Sequence, residues 1–528
     1  MLPAARFLCL VFPAAHLSNE SLPMSDKDPE LVPDDVIPHQ NLPPLEYRDM
    51  PKAIPWKAMI GPSIILAGLS LGSGEFMLWP HITYKAGFVF FWACLLGVMT
   101  HYFLNMEIER YTLVTGESAI TGFCRMSKHW AWIMLICNIV PMAWPGWASG
   151  AATTLSWLIF GPIDAAGGDF SAPYTNWFAI AGLVLVGVVL TSGPVVYNTV
   201  EKIQTFLVAS IMIAVVVLAF ILVKPYAVTA MFAGAMNLGE MPPPDSGLAF
   251  VALLGALAFA GAGGTLNLGQ SNYIKDKGYG MGAYIGRITS PITGQEEASP
   301  EVGYHFKHTE ANLGRWKQWW RAANIEHFLS FFVTCLVCLA LLSLISYSIF
   351  YNADGNLKPG MESFGKDMDF IWGEATTLGG MENGGILKIA FLLMGTAILL
   401  TTELGVLDVI SRISADIVKV NYLRDNPKWS VSKLYFLFLW AEIALGIIIL
   451  LVPGFSKPLF LVKISAALQG GVMFVYSILL LWMNNKILSR SLSMSPLRFV
   501  AIIWSCAFFG YFAFMVMKIE VLPFLFVE

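Results

Sequence analysis

Along this chain the hydrophobic and polar positions fall into long apolar blocks separated by shorter polar ones. About 20 consecutive apolar residues carry a helix across a bilayer. Eleven such blocks are centred near residues 66, 97, 145, 183, 212, 258, 338, 396, 442, 471 and 508, which predicts eleven spanning helices. Glycine interrupts two of them. The first runs from Ala58 into Gly72-Ser73-Gly74-Glu75, and the sixth from Gly247 into Gly261-Ala262-Gly263-Gly264. Irregular backbone at membrane depth persists only where protein or a water-filled cavity satisfies its freed polar groups, so paired interruptions mark a binding site. Five spans separate the start of one from the start of the other, the spacing of an inverted repeat of five helices around one midplane site. The plainer use of such glycines is close helix packing; two clusters at matching positions favour a site.

This pattern divides the chain into a disordered tail over 1–55, a first five-helix repeat over 56–228, a second over 229–484, and an eleventh helix with the C-terminus over 485–528. The second repeat carries two long loops, 275–321 and 351–388. The first 23 residues hold only a short apolar run with no convincing cleavage site. Met24 opens a polar, Pro-rich stretch reaching Pro51, so it is a candidate start. With the N-terminus inside, 24 of the 32 Lys and Arg residues fall on inside segments, as orientation by positive charge requires.

Composition sharpens this: 56% hydrophobic and 13% charged residues describe a polytopic membrane protein. The net charge of -4, with no basic run among aromatics, gives no sign of nucleic acid. Cys94, Cys137, Cys335, Cys338 and Cys506 lie in apolar blocks and read as small buried hydrophobes, without a disulfide framework. The eight histidines show no pairing suited to a metal or a triad, which argues against a membrane enzyme. Trp316, Trp319 and Trp320 beside Arg315, Lys317 and Arg321 predict a headgroup anchor. The acids of the 351–388 loop, Asp354 to Glu382, are solvated or concentrate cations at a mouth.

Around the interruptions the polar inventory is small: Glu75, Ser73, Thr265, Asn267, Gln270 and backbone carbonyls. The third span, 130–160, has no acid, base or His, and the sixth has none between Asp245 and Lys275, so a proton relay through them lacks its steps. Further intramembrane charges are Glu403, Asp408, Glu442 and Lys463. Glu403, behind Thr401 and Thr402, lines a pathway or pairs with Lys463; Asp408 and Glu442 sit near interfaces or are paired. Glu75 is a site carboxylate or a cap of the second half-helix. Pro141, Trp144-Pro145-Gly146-Trp147 and Pro194 predict kinks, with Trp144 or Trp147 a candidate gate.

The stretch Gly61-Pro62-Ser63 through Glu75, followed by Leu95 to Arg110-Tyr-Thr-Leu-Val-Thr115-Gly116-Glu117, resembles the natural resistance-associated macrophage protein (Nramp) metal transporters. The resemblance continues at Gly255-Ala256, Gly395 to Leu407 and Ser465 to Gln469. It implies the all-helical membrane fold of the leucine-transporter type, an inverted 5+5 repeat with broken first and sixth helices, and inward transport of a divalent cation by alternating access.

Two departures qualify it. Gly72-Ser73-Gly74-Glu75 stands where the family has Asp-Pro-Gly-Asn, so the Asp is lost and the Asn becomes Glu. Ala256-Leu257-Ala258-Phe259-Ala260-Gly261 stands where the family has Ala-x-x-Met-Pro-His, so thioether and imidazole are both gone. Without the sulfur, Mg²⁺ or Mn²⁺ is expected over softer metals, with weak or no proton coupling. The expected ion-binding set is Gly72, Ser73, Gly74, Glu75, Phe259, Ala260, Thr265, Asn267 and Gln469, with Glu75 as metal ligand and Gln469 at a position that reaches the ion in the family. Thr402, Glu403 and Asp408 are the expected pathway. The expected protein is a monomer in a bacterial inner membrane with a cytoplasmic N-terminus and no permanent cofactor, its partners being the ion and the lipid. A small amino-acid-like substrate on the same fold is the alternative, and a non-transporting membrane protein or enzyme the second.

Overall fold

The computed structural model describes residues 30–290, 292, 294, 302–455 and 457–525. The short apolar run of the first 23 residues and the candidate start at Met24 lie outside the described residues.

The first span is one rod. Pro62 opens α1 (Pro62–Ser70), a π-helical segment follows at Leu71–Leu78, and α2 (Trp79–Ala86) closes it. The interruption at Gly72–Glu75 therefore widens the helix by a π turn, a form found mostly at functional sites. Then come α3 (Phe91–Thr115), stopped by left-handed Gly116, and α4 (Ala119–Met126), capped by the Ser118 hydroxyl. The third span is two helices, α5 (His129–Met142) and α6 (Gly146–Phe160), parted at Ala143-Trp144-Pro145. Pro145 cannot continue the ladder, so the expected kink is a full break. α7 (Thr175–Ser192), α8 (Val196–Leu222) and α9 (Pro225–Met236) end the first half.

The sixth span breaks into α10 (Phe250–Ala258) and α11 (Gly264–Lys277). Between them residues 259–263 leave helical geometry, and Gly263 (φ 70°) and Gly264 (φ 57°) carry the reversal. α12 (Glu310–His327) passes through a π segment, Phe328–Val333, into α13 (Thr334–Phe350). α14 (Asp369–Gly379) lies in the 351–388 loop. α15 (Gly384–Tyr422), α16 (Val431–Leu451), α17 (Pro458–Lys486) and α18 (Pro496–Val516) complete the bundle.

Among the described residues, eight helical stretches are long and apolar enough to cross a membrane, with the third span, α5 and α6 together, counted as one. The three expected blocks outside that set are the two interrupted spans and α3, which carries Glu107, Glu109 and Arg110. The burial pattern is that of a protein in lipid: Phe220 is 88% exposed while Arg412, Asp408 and Glu109 are 0% exposed. α1, the π segment and α11 lie at the centre, packed on α15, and α10 packs on α17.

Two expectations differ from the structure. From residue 30 the tail is folded: Glu46–Tyr47 pairs in parallel with Tyr304–His305, and Val32, Ile37, Leu42, Leu45 and Met50 are buried. These apolar residues punctuate a polar stretch and give it a face to bury. Trp316 and Trp319 are buried as well, and Trp319 Nε1 donates to the Pro51 carbonyl at 3.0 Å. Trp319 thereby holds the N-terminal segment, and Trp316 and Trp319 pack inside the protein rather than presenting their rings to lipid, while Trp320, stacked on Trp316, stays half-buried. Cys94, Cys335 and Cys338 are buried free thiols.

Candidate functional site

The two interruptions touch backbone to backbone. A Cβ on Gly74 would lie 1.5 Å from the Phe259 carbonyl oxygen, so only glycine permits the approach. Neighbouring helices fix both strands of this contact. The Gly72 amide donates to Thr402 Oγ1 (3.0 Å), which donates to the Gly68 carbonyl (3.1 Å). Trp147 Nε1 donates to Ser73 Oγ (2.8 Å), and its ring lies 5.8 Å from that of Phe259. Gly72, Ser73, Gly74, Phe259, Ala260, Thr402 and Trp147 are thus brought together from the first, third, sixth and eighth spans, and all are buried.

Glu75 turns to another side of the π segment. Its carboxylate lies toward Ser70 and the Cys335 thiol. Both carboxylate oxygens are buried without a hydrogen-bond partner among the described residues. An unpartnered acid in such a place awaits a proton or an ion. Among the described residues no three His, Cys, Asp or Glu side chains converge to hold a metal. Any ion here must be completed by hydroxyls, carbonyls or water.

Glu403 binds the break in the third span: the Ala148 amide, in the first turn of α6, donates to its Oε2 at 3.1 Å. That places an acid on the positive end of a half-helix inside the membrane. Of the two alternatives for Glu403, pairing with Lys463 is not found among the described residues; Lys463 Nζ, near the start of α17, lies 3.2 Å from His81 Nε2 of α2.

Below the sixth-span break, Gln469 caps α11. Its Oε1 accepts from the Thr265 amide (2.9 Å) and its Nε2 donates to Thr265 Oγ1 (3.0 Å), which spends Gln469 on the helix end. Asn267 Nδ2 reaches His101 Nδ1 (2.9 Å) and Tyr476 OH (3.0 Å), while His101 Nε2 lies 3.2 Å from the Leu257 carbonyl. An imidazole protonated at Nε2 satisfies both of its contacts.

Asp408 is not at the interruptions. It accepts from Arg412 Nε (2.8 Å), Tyr273 OH (2.8 Å) and Tyr435 OH (2.6 Å). Arg412 also pairs with Asp276, and Lys275 Nζ pairs with Asp416 at 2.6 Å. These ion pairs lace α11 to α15 beside a cavity of about 450 Å³ at the end of the bundle bearing the N-terminal segment. The sequence reading missed the ties between α11 and α15, because their partners lie more than 130 positions apart. It also passed over Glu109 and Glu326.

No protein-family model and no curated protein matches the chain. Solved structures do. A crystal structure of a single-site variant of the Eremococcus coleocola manganese transporter covers 94% of this chain and 93% of its own at 12% identity, with a TM-score of 0.62. The same transporter in complex with an aromatic bis-isothiourea substituted compound gives the same coverage and identity with a TM-score of 0.61. At that identity the likeness speaks for the fold, and the chain is an all-helical membrane protein with the inverted-repeat architecture that its resemblance to the Nramp transporters implies.

Proposed function

We propose that the chain moves a divalent cation, Mg²⁺ or Mn²⁺, inward by alternating access, as a monomer with a cytoplasmic N-terminus in a bacterial inner membrane. The observation that supports this is the contact of the two interruptions, Gly74 against the Phe259 carbonyl, in a fold shared with a manganese transporter. Glu75 supplies the charge on its own side of the π segment, and the neighbouring Ser70 hydroxyl, backbone carbonyls and water supply neutral oxygens. Mg²⁺ keeps several waters and takes one or two carboxylates, so one acid suffices. Thr402 and Trp147 hold the π segment against α15 and α6. Release toward the cytoplasm requires the ties between α11 and α15, Arg412 to Asp276 and Lys275 to Asp416, to part.

With no titratable step across the third or sixth span at the midplane, the ion moves down its own gradient. An inside-negative potential contributes about 2.3 kcal/mol per charge per 100 mV. The Trp147 and Phe259 rings flanking the contact favour a second reading, a small organic solute with an apolar group. Liposome uptake separates the two. Under an inside-negative potential, Mg²⁺ or Mn²⁺ influx without internal pH change supports the cation. Absence of both, with amino-acid uptake insensitive to either metal, overturns it.

A further inference from the structure

Where α1 begins against the end of α12, one hydroxyl joins two titratable groups. Ser63 lies in the first turn of α1, and Glu326 and His327 are the last two residues of α12; all three are buried. Ser63 donates its hydroxyl to Glu326 Oε2 and lies 2.8 Å from His327 Nδ1. Gln270 of α11 approaches the same oxygen with its Nε2 at 3.5 Å. A hydroxyl has one hydrogen to give and two lone pairs to fill. With that hydrogen given to Glu326, His327 Nδ1 carries the proton that Ser63 accepts. The chain of bonds runs from imidazole to hydroxyl to carboxylate.

This arrangement leaves His327 Nε2 and Glu326 Oε1 open, both buried with no hydrogen-bond partner among the described residues. With Nε2 bare, the unit as a whole is an anion out of water. Its surroundings offer no free cation. Tyr102 and Glu109 lie toward it from α3, Tyr197 from α8, Lys277 from α11, Tyr279 from the turn after α11, Ser330 from the π segment after α12, and Arg498 from α18. Lys277 is paired with Glu201 of α8, and Arg498 is bound to Glu107 and Asn324. Glu109 is a second acid and brings no counter-charge. An unneutralised buried carboxylate is costly, and a proton on the adjoining base removes that cost. The His327 ring also stacks on Phe331 (centroids 4.8 Å apart, 13°) and on Tyr102 (5.7 Å, 27°), and aromatic faces attract a cation.

We propose that His327, Ser63 and Glu326 form a proton-binding site, with one proton taken up at His327 Nε2 and its charge shared with Glu326 through the Ser63 hydroxyl. One arrangement is imidazolium facing carboxylate. In the other, the Nδ1 hydrogen passes to Ser63 and the Ser63 hydrogen to Glu326 Oε2, giving neutral imidazole and carboxylic acid. Each bond of the bridge then reverses direction and none is lost. Ser63 belongs to α1 and its partners to α12, so lifting α1 away ends the sharing. By reciprocity, the bound proton favours α1 seated on α12. This goes beyond the transport reading and does not rest on it.

Infrared spectroscopy of the full chain in lipid, titrated with pH, tests the site without a transport assay. Isotope-labelled histidine and glutamate separate imidazole from carboxyl bands, and His327→Gln and Glu326→Gln each remove one of them. In the wild type both bands should change at one midpoint, with one proton released between them. Ser63→Ala keeps both titratable groups and should part their midpoints by about one pH unit or more. Reading the bridge alone, it guards against loss of fold in the other two, and elution as a single species checks each. Separate midpoints in the wild type, a common midpoint surviving in Ser63→Ala, no titrating band from either residue, or displacement of the proton by stoichiometric Mn²⁺ at constant pH each overturns the proposal.

Discussion

Replacing Gly74 by alanine probes the contact between the two interruptions at one atom. The added Cβ would fall 1.5 Å from the Phe259 oxygen and 2.6 Å from its carbonyl carbon. Carbon and its neighbours reach optimal separation at about 3.5 Å, so the backbones must part by about 2 Å. Both offending atoms are main chain, and no rotamer change relieves them. Overpacking of this kind costs about 1–3 kcal/mol, and a site held by the approach is lost with it. Gly471→Ala is the control: nothing lies within 4 Å of its Cβ position, and in a helix interior alanine gains up to about 1 kcal/mol. Thermal unfolding and liposome uptake of Mn²⁺ are measured on both. Gly74→Ala should lower Tm and abolish uptake while Gly471→Ala keeps both. Wild-type Tm and uptake in Gly74→Ala would refute the reasoning.

Trp147→Phe keeps the ring against Phe259 but removes the donor to Ser73, and should cost about 0.5–1.5 kcal/mol in thermal unfolding, with slower uptake. Arg412→Ala strands Asp408 and Asp276 in a buried site and should destabilise by about 3–5 kcal/mol, read as a large fall in Tm. In the 351–388 loop, burial raises the Asp367 carboxyl from 3.8 to about 6. The folded state then holds this proton more tightly than the unfolded chain does, so the stability it contributes is full below about pH 4 and lost as pH rises through about 6. Asp367→Asn keeps the acceptor for the Leu459 amide (2.9 Å) and should flatten this part of the dependence of Tm on pH.

The block pattern carried most of the architecture because spanning helices are specified locally, by runs of apolar residues that need no partner to be recognised. The glycine clusters likewise located both interruptions. Their form was not legible: whether Gly72-Ser73-Gly74 unwinds or widens into a π turn depends on Phe259 lying against it, a contact across 185 positions. Side-chain direction was equally hidden. Glu75 and Ser73 are two residues apart, yet one lies toward the Cys335 thiol and the other toward Trp147. Asp408 reads as a pathway acid from its place in an apolar span, but Arg412 one turn on and two tyrosines consume it. Hydrophobicity also misled at the N-terminus, where a few buried side chains, Val32 to Met50, order a segment of polar composition.

The central claim, that a cation is held at the interruption of the first span with Glu75 as its charged ligand, is tested most directly by Mn²⁺ binding to the purified chain followed by electron paramagnetic resonance. The account predicts loss of free Mn²⁺ signal to one saturable site per chain, abolished in Glu75→Gln and retained in Asp408→Asn. Saturable binding unchanged in Glu75→Gln, or no binding by the wild type, would contradict it.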